Sequence, residues 1–559
     1  MSLYTLGAIG SLPIIVAFVL LAVFHRTAKF SMGLGWAVAT LLGLFLWSMN
    51  PGWWFSVSIY GALQAIEIVA IIFGAVLLMN YLERSGAIST IRWHFSNIQG
   101  DRRIQLVLIG FGFVVLIEGV AGFGTPAVLA APLLIGLGFP PLAAAVFGLF
   151  FNAPNPPFGV AGIPTVHGIG SVIGPELPSN LTTAEFLSSV TKWTGVLNGL
   201  TYSFWGILAI FLMIFWFGRA EERSVQGAFR ATIPSIPFAI ALGLTTGLSN
   251  WLVSWFMGPE LPDIIAGFTA LGVGFTMARY DIMMPERNWH FPDRDDWPKL
   301  WGGGLPDSEM EAPIPSKEMS VLRSWMPYLL VAGFLVVTRM PGTGMLDWLN
   351  GFKLRLLLQN TPELTFISKP LSLPGVLPFI PIAVLTGFFH RLSFRQTISA
   401  WKESTTRLIE PALTLIVAVS MAQIMIQSST NSIGRIGMMD AMSQMLAQAA
   451  GKALPFVSPW IGTLGGFVTG SNTSSNILFS ALQYGAASDL GVETSIIVAL
   501  QNIGGGIGNL VSVLNIAAVG GVIGIVGYEG YILRKTIVPT VIYGIFAGLF
   551  GLFVIYVPF

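Results

Sequence analysis

A carboxylate and three glycines interrupt an apolar stretch at Leu116-Ile117-Glu118-Gly119-Val120-Ala121-Gly122-Phe123-Gly124-Thr125-Pro126. Burial in such surroundings favours the neutral acid, so Glu118 could exchange a proton at physiological pH, as a proton-coupled carrier requires. The plainer alternative is a structural carboxylate that binds backbone amides. The glycines permit positive φ and let a ligand approach the amides, while the helix opening at Pro126 points its positive N-terminus at what binds. Gly122, Phe123, Gly124 and Thr125 are therefore candidate contacts for an anion, and Glu118 is the candidate for proton coupling.

A second polar interruption, Thr469-Gly470-Ser471-Asn472-Thr473-Ser474-Ser475-Asn476, places hydroxyls and amides between apolar flanks. Such side chains coordinate a carboxylate, a substrate hydroxyl or a sodium ion, and they also cap helices. As a cluster matched by a breakpoint in the other half of the chain, Ser471, Asn472, Thr473, Ser474 and Asn476 are read as a ligand site. Each interruption precedes a broken apolar span, Asn152-Ala153-Pro154-Asn155-Pro156-Pro157 and Gln501-Asn502-Ile503-Gly504-Gly505-Gly506-Ile507-Gly508-Asn509. Paired broken spans beside paired polar tips point to a midplane binding site, which adds Asn152, Asn155, Asn502 and Asn509. Arg435 could pair with a substrate carboxylate through its planar fork or simply anchor a helix at the interface. Glu67 and Glu410 are weaker candidates for coupling, and surface positions are expected for His167 and Asp263.

The elements that must position these residues follow from composition. Of 559 residues, 54% are hydrophobic and 10% charged, against about 25% charged in soluble domains, which excludes a water-soluble protein. Apolar runs predict twelve spans, near 8–25, 31–48, 57–80, 140–164, 196–217, 231–256, 262–279, 323–340, 375–390, 407–428, 492–518 and 537–558. Two further apolar segments, 104–138 and 455–488, are broken centrally and read as re-entrant hairpins. The first run lacks a basic region and a cleavage site, so it reads as a retained span. With 28 Lys and Arg against 27 Asp and Glu, no nucleic-acid partner is expected, and the absence of Cys excludes disulfides and thiol chemistry.

Basic loops around Arg26, Arg84 to Arg103, Arg219 to Arg230, Arg391 to Arg407 and Arg534 all fall on one side, predicted cytoplasmic, with both termini outside. The loop carrying Lys353, Arg355 and Lys369 goes against this rule. The expected division is 1–280 as a first half, 281–322 as a soluble cytoplasmic linker, and 323–559 as a second half. An offset of 348 places Gly122 on Gly470 and Thr125 on Thr473, and the two hairpins enter from opposite sides, so an inverted repeat is expected.

These residues also carry a resemblance. The chain resembles the bacterial L-lactate permease family from nearly end to end, most specifically at Glu-Gly-Val-Ala-Gly-Phe-Gly-Thr-Pro (118–126), Leu-Ile-Gly-Leu-Gly-Phe (134–139), Gly-Pro-Glu-Leu-Pro-Asp (258–263) and Thr-Gly-Ser-Asn-Thr-Ser-Ser-Asn (469–476). The resemblance implies uptake of lactate, glycolate or related 2-hydroxy monocarboxylates with protons. It also implies membership of a wider group with two opposed hairpins, in which dicarboxylate transporters use Ser-Asn-Thr tips for sodium and carboxylate, and with it an elevator movement. Two positions depart from the family pattern: Asn472 stands where members usually have Asp, and Asn509 about where they have Lys. An acid and a base have both become amides, so Arg435 could supply the missing cation, or sodium could replace the proton.

The expectation is an all-α polytopic protein of the bacterial inner membrane with scaffold and transport domains. It would import L-lactate or a related small 2-hydroxy monocarboxylate by proton symport, without a cofactor. Its rivals are a sodium-coupled carrier of another small organic anion and an anion channel; homo-oligomerisation stays open. Five His residues without metal-ligand spacing, and the lack of a nucleophile triad or phosphate loop, speak against an enzyme.

Overall fold

The computed structural model describes residues 1–24, 26–96, 100–122, 124–303, 317–340, 342–358 and 364–557. Ten of its helices are long and apolar enough to cross a membrane, which makes the protein a multi-pass membrane protein. The longest follow from local signals. Asn50 caps Pro51–Arg84 by accepting from the Gly52 amide, and Pro51 occupies the first turn, where its missing N–H costs nothing. Thr182 and Glu185 form a reciprocal capping box that starts Thr183–Phe217, and Ser393 with Gln396 does the same for Phe394–Ile426.

Element order repeats at the offset seen in the sequence. Shifting by 348 carries Pro51–Arg84 onto 399–432, over the helix Phe394–Ile426, and carries Thr183–Phe217 onto 531–565, over Glu529–Tyr556. Between each pair lies a helical hairpin. In the first, helical segments from Arg102 to Val120 turn at 121–124 into Thr125–Gly136; in the second, Leu454–Thr469 turns at Gly470-Ser471 into Asn472–Leu490. Both turns need left-handed backbone, with φ of +52° at Gly122, +76° at Gly124 and +67° at Gly470. The segment Arg102–Val120 is wholly buried, unlike any other of the ten.

The expected span 140–164 is not one helix. Pro141–Asn152 stops at Ala153, and Pro154, Pro156 and Pro157 prevent the amide ladder from continuing. A short turn follows, then Val160, Ala161 and Gly162 in the left-handed region, before the chain coils again from Pro164 to Ile169. The second break is milder: Thr494–Asn509 ends at Leu510-Val511 and Val513–Val522 resumes.

The segment expected as a soluble linker is mostly exposed over its described part but is anchored to the helices at a few points. Trp289, Phe291 and Trp301 are buried, with Phe291 against Phe139 and Trp301 against Phe217. Asp101 fastens it: its carboxylate accepts from the Trp289 amide at 2.9 Å and pairs with Arg103 at 2.6 Å, while Arg103 donates to the carbonyls of Ala231 and Arg287. Such a buried pair holds only because nearly every remaining donor is used. Residues 304–316 of that segment lie outside the described residues. The loop bearing Lys353, Arg355 and Lys369 contains a two-stranded antiparallel ribbon, Leu354–Leu357 with Thr365–Ser368, which the apolar pattern did not announce.

Candidate functional site

Glu118, on the arm of the first hairpin, and the turn of the second hairpin meet at one pocket, whose wall includes neither Gly122 nor Gly124. Glu118, Pro156, Gly159, Val160, Pro164, Gly470, Ser471, Asn472, Thr473 and Asn509 line about 270 Å³ of empty space. Each of four separated chain segments contributes, and the spans that break do so here because the backbone must bend around the pocket. Asn515, which the sequence reading passed over, ties the turns together. Its amide donates to the carbonyls of Asn509 at 3.2 Å and Gly470 at 3.5 Å, and a Cβ on Gly124 would come within 3.3 Å of its Oδ1.

Glu118 is 3% exposed, and the Asn152 side chain hydrogen-bonds its carboxyl. Its Oε2 has no partner. A Cβ at Gly159 would lie 2.4 Å from Glu118 Oε1, so this glycine creates the room the carboxyl occupies. Gly159→Ala is expected to push the carboxyl aside, lowering transport by roughly tenfold or more while costing stability about 1–3 kcal/mol for an overpacked methyl. Uptake and thermal unfolding of the purified variant would check both, and a variant transporting at the wild-type rate would separate this contact from function.

The second turn is held by buried amides. Asn502 Oδ1 accepts from Asn472 Nδ2 at 3.1 Å and Asn476 Nδ2 at 2.8 Å, and Asn502 Nδ2 donates to Thr165 Oγ1 at 2.8 Å. Asn476 also donates to the Pro164 carbonyl, which joins the second hairpin to the broken span of the first half. Ser471 caps the 19-residue helix Asn472–Leu490 through the Ser474 amide, so the positive end of that helix faces the pocket. Asn472 can sit here because Gly505 has no side chain: a Cβ there would be 2.0 Å from Asn472 Oδ1.

Several expected contacts fall elsewhere. Asn155 uses both ends of its amide within the protein, donating to the Phe151 carbonyl and accepting from the Tyr202 hydroxyl, so it braces the break instead of facing ligand. Ser474, Asn476 and Asn502 stand behind the pocket wall, and Asn152 reaches it only through Glu118. Thr125 lines a separate cavity. Phe123 lies outside the described residues.

Arg435 is not brought to the site. Its guanidinium donates to the Leu46 carbonyl and lies over Trp47, because Asn431 folds the loop 431–435 onto itself. Among the described residues, no Lys, Arg or His lines the pocket. Glu410 pairs with Lys29 at an exposed position.

Two surface expectations are corrected. His167 is half-buried in a cavity, and Asp263 is completely buried beside the Glu118 helix, because the turn 257–261 tucks beneath the broken span, where a Cβ on Gly162 would strike the Pro259 carbonyl at 2.6 Å. The signal available for Asp263 was Asn250, an amide alone on an apolar helix and now its partner at 2.9 Å.

Two larger cavities flank the pocket along the helix Pro51–Arg84. One, of about 1150 Å³, includes Gln64, Glu67, His167, Arg339 and Lys369; the other, of about 1170 Å³, includes Ile72, Met79, Glu83, Arg92, Thr125 and Arg407. The first meets that helix near its middle, at Gln64 to Ile68, and the second toward its C-terminal end, at Ile72 to Glu83.

The glycolate permease GlcA of Escherichia coli is 27% identical over 98% of this chain and 95% of its own length, and the L-lactate permease of Bacillus subtilis is 28% identical over 92% and 89%. Among solved structures, the Alcanivorax borkumensis YdaH transporter aligns with 93% of this chain and 98% of its own at 12% identity, with a TM-score of 0.45. The family profile described as L-lactate permease matches residues 7–558, both hairpins and both breaks included, and the chain therefore belongs to the L-lactate permease family.

Proposed function

We propose that this protein imports L-lactate, glycolate or a related small 2-hydroxy monocarboxylate by proton symport. The observation that carries the reading is the convergence of one buried acid, a helix N-terminus and the hydroxyls of Ser471 and Thr473 on one small pocket. With no cation in its wall among the described residues, the pocket would meet the carboxylate through backbone amides and hydroxyls, and Glu118 would load a proton to offset the incoming charge. The names of the relatives supply the substrate class.

Alternating access would use the two flanking cavities. The one with Arg339 and Lys369 faces outside on the topology from the basic loops, and the one with Arg92 and Arg407 faces the cytoplasm. The hairpins, inverted relative to each other, would move against Pro51–Arg84 and Phe394–Ile426, whose close contact at Gly61 and Ser420 suits a fixed scaffold.

One set of atoms favours sodium instead. Besides Glu118 Oε2, the buried oxygens of Asn152, Asn472 and Asn509 lack partners, an oxygen-rich arrangement that a hard cation would satisfy. Proteoliposomes given labelled L-lactate or glycolate, with proton and sodium gradients imposed separately, decide between them. Saturable uptake driven by the proton gradient alone supports symport. Response to sodium alone transfers coupling to the amide oxygens, and flux far above carrier turnover would establish a channel.

A further inference from the structure

The reading above uses one acid, yet a second buried carboxyl, Asp263, packs against the same helix and, unlike Asp101, has no cation paired with it. Asp263 opens the helix Pro262–Arg279 and is fully enclosed. Its Oδ1 accepts from Asn250 at 2.9 Å; its Oδ2, like Asn250 Oδ1, has no partner. It presses against the Glu118 helix at the neighbouring residue, where a Cβ on Gly119 would lie 3.0 Å from Asp263 Cβ and 2.9 Å from the Ile264 amide nitrogen.

Among the described residues, the surroundings contain no compensating charge. Glu118 acts on Asp263 from the hairpin, and Tyr202, whose hydroxyl is spent on Asn155, acts from Thr183–Phe217. The helix Ile236–Phe256, which supplies Asn250, has no ionisable residue, and on Asp263's own helix the next charge is Arg279 at the far end. Glu260 and Arg339, just upstream in the fold, neutralise each other at 3.1 Å. Two carboxyls in one dry region without a cation do not ionise together, because each charge loses its hydration and repels the other. The 18-residue helix that holds Asp263 in its first turn nevertheless makes an ionised state accessible there, through its positive end.

We propose that Asp263 is a second proton-binding carboxyl of the transport cycle, coupled to Glu118 through the Gly119 contact. This rests on the proton-symport reading. The two groups titrate as a pair: a proton on Asp263 permits Glu118 to ionise, and loss of that proton holds Glu118 in its acid form. Only O–H bonds are made and broken, and each proton taken from water on one side is returned to water on the other.

The test compares Asp263→Asn, Glu118→Gln and wild type in proteoliposomes. Net uptake driven by a proton gradient is measured against pH, and labelled-substrate counterflow at equal pH is measured beside it. Asp263→Asn is expected to keep counterflow within about twofold of wild type while the alkaline limb of net uptake moves by about one pH unit or more toward acid, the size of a like-charge interaction. A merely structural role would lower both activities without moving the limb, and an unmoved limb overturns the proposal. Wild type that ignores the proton gradient overturns the symport reading and this inference with it. Wild type that responds, Glu118→Gln that does not, and Asp263→Asn with the wild-type profile overturn this inference alone. Should Asp263→Asn not fold, infrared spectra of wild type labelled with ¹³C-aspartate give the answer: a protonated-carboxyl band that titrates near neutral pH supports the proposal, and its absence ends it.

Discussion

Glu118→Gln is expected to reduce the steady-state accumulation of substrate to a ratio of about one, while equal-pH counterflow continues. Glutamine matches the size of the acid and can retain the contact with Asn152, so the pocket keeps its shape. What it cannot do is release a proton. A carrier that moves one proton with each substrate can concentrate it about tenfold per unit of pH difference, since each unit is worth about 1.36 kcal/mol. Removing the exchangeable proton disconnects that driving force and leaves the movement of the loaded protein, which counterflow reports. Substrate accumulation by liposomes with an acidic exterior is the measurement. Concentrative uptake by the Gln variant would show that the proton travels elsewhere, Asp263 being the buried carboxyl packed against the Glu118 helix.

Asn502→Leu is expected to weaken substrate binding by at least about tenfold and to destabilise the protein. Asn502 has no exposed surface, and its one amide joins the second turn, through Asn472 and Asn476, to Thr165 in the broken span of the first half. Leucine has the same branching but is bulkier and carries no polar atoms, so overpacking adds to the lost hydrogen bonds. Asn476 and Thr165 retain other partners, the carbonyls of Pro164 and Pro157. Asn472 does not: its Nδ2 loses the Asn502 oxygen, and an orphaned buried donor costs about 1–3 kcal/mol. Because Asn472 lines the pocket, part of that cost reappears as lost affinity, tenfold for each 1.4 kcal/mol. Calorimetric binding and a thermal melt on the same sample separate the two effects. Wild-type affinity in a destabilised variant would make Asn502 a packing residue only.

How much of this was legible beforehand depends on the kind of signal. Glu118 with its glycines and the hydroxyl-rich second turn stood out because polar residues at membrane depth are conspicuous against apolar flanks. Asn502 and Asn509 were found through the glycine-broken span. Asn155 was singled out by the same logic, yet faces Tyr202, since a break shows where the backbone bends but not which way each side chain turns. Arg435 attracted interest as a cation that could meet a carboxylate, and a local loop closed by Asn431 spends it on the Leu46 carbonyl. Asp263 was expected at the surface, and it follows the turn 257–261. Whether such a turn lies at the surface or folds inward depends on what fills the space below, and Gly162 leaves that space open to Pro259.

The sequence alone determined that this chain lives in a bilayer, that it is built of helices, that two polar turns interrupt it at matching places, and that an acid sits in the first. Those conclusions rest on local quantities, hydropathy and backbone freedom, which each segment carries with it. The tertiary structure alone decided that Glu118 and the second turn face one pocket, that Asn502 binds the halves together beside it, that no cation joins them among the described residues, and that a second acid backs onto the first. Contacts between residues more than three hundred positions apart, such as Asn476 with Pro164, depend on how whole helices pack, and that packing is fixed by close glycine-lined approaches between segments that no local pattern encodes.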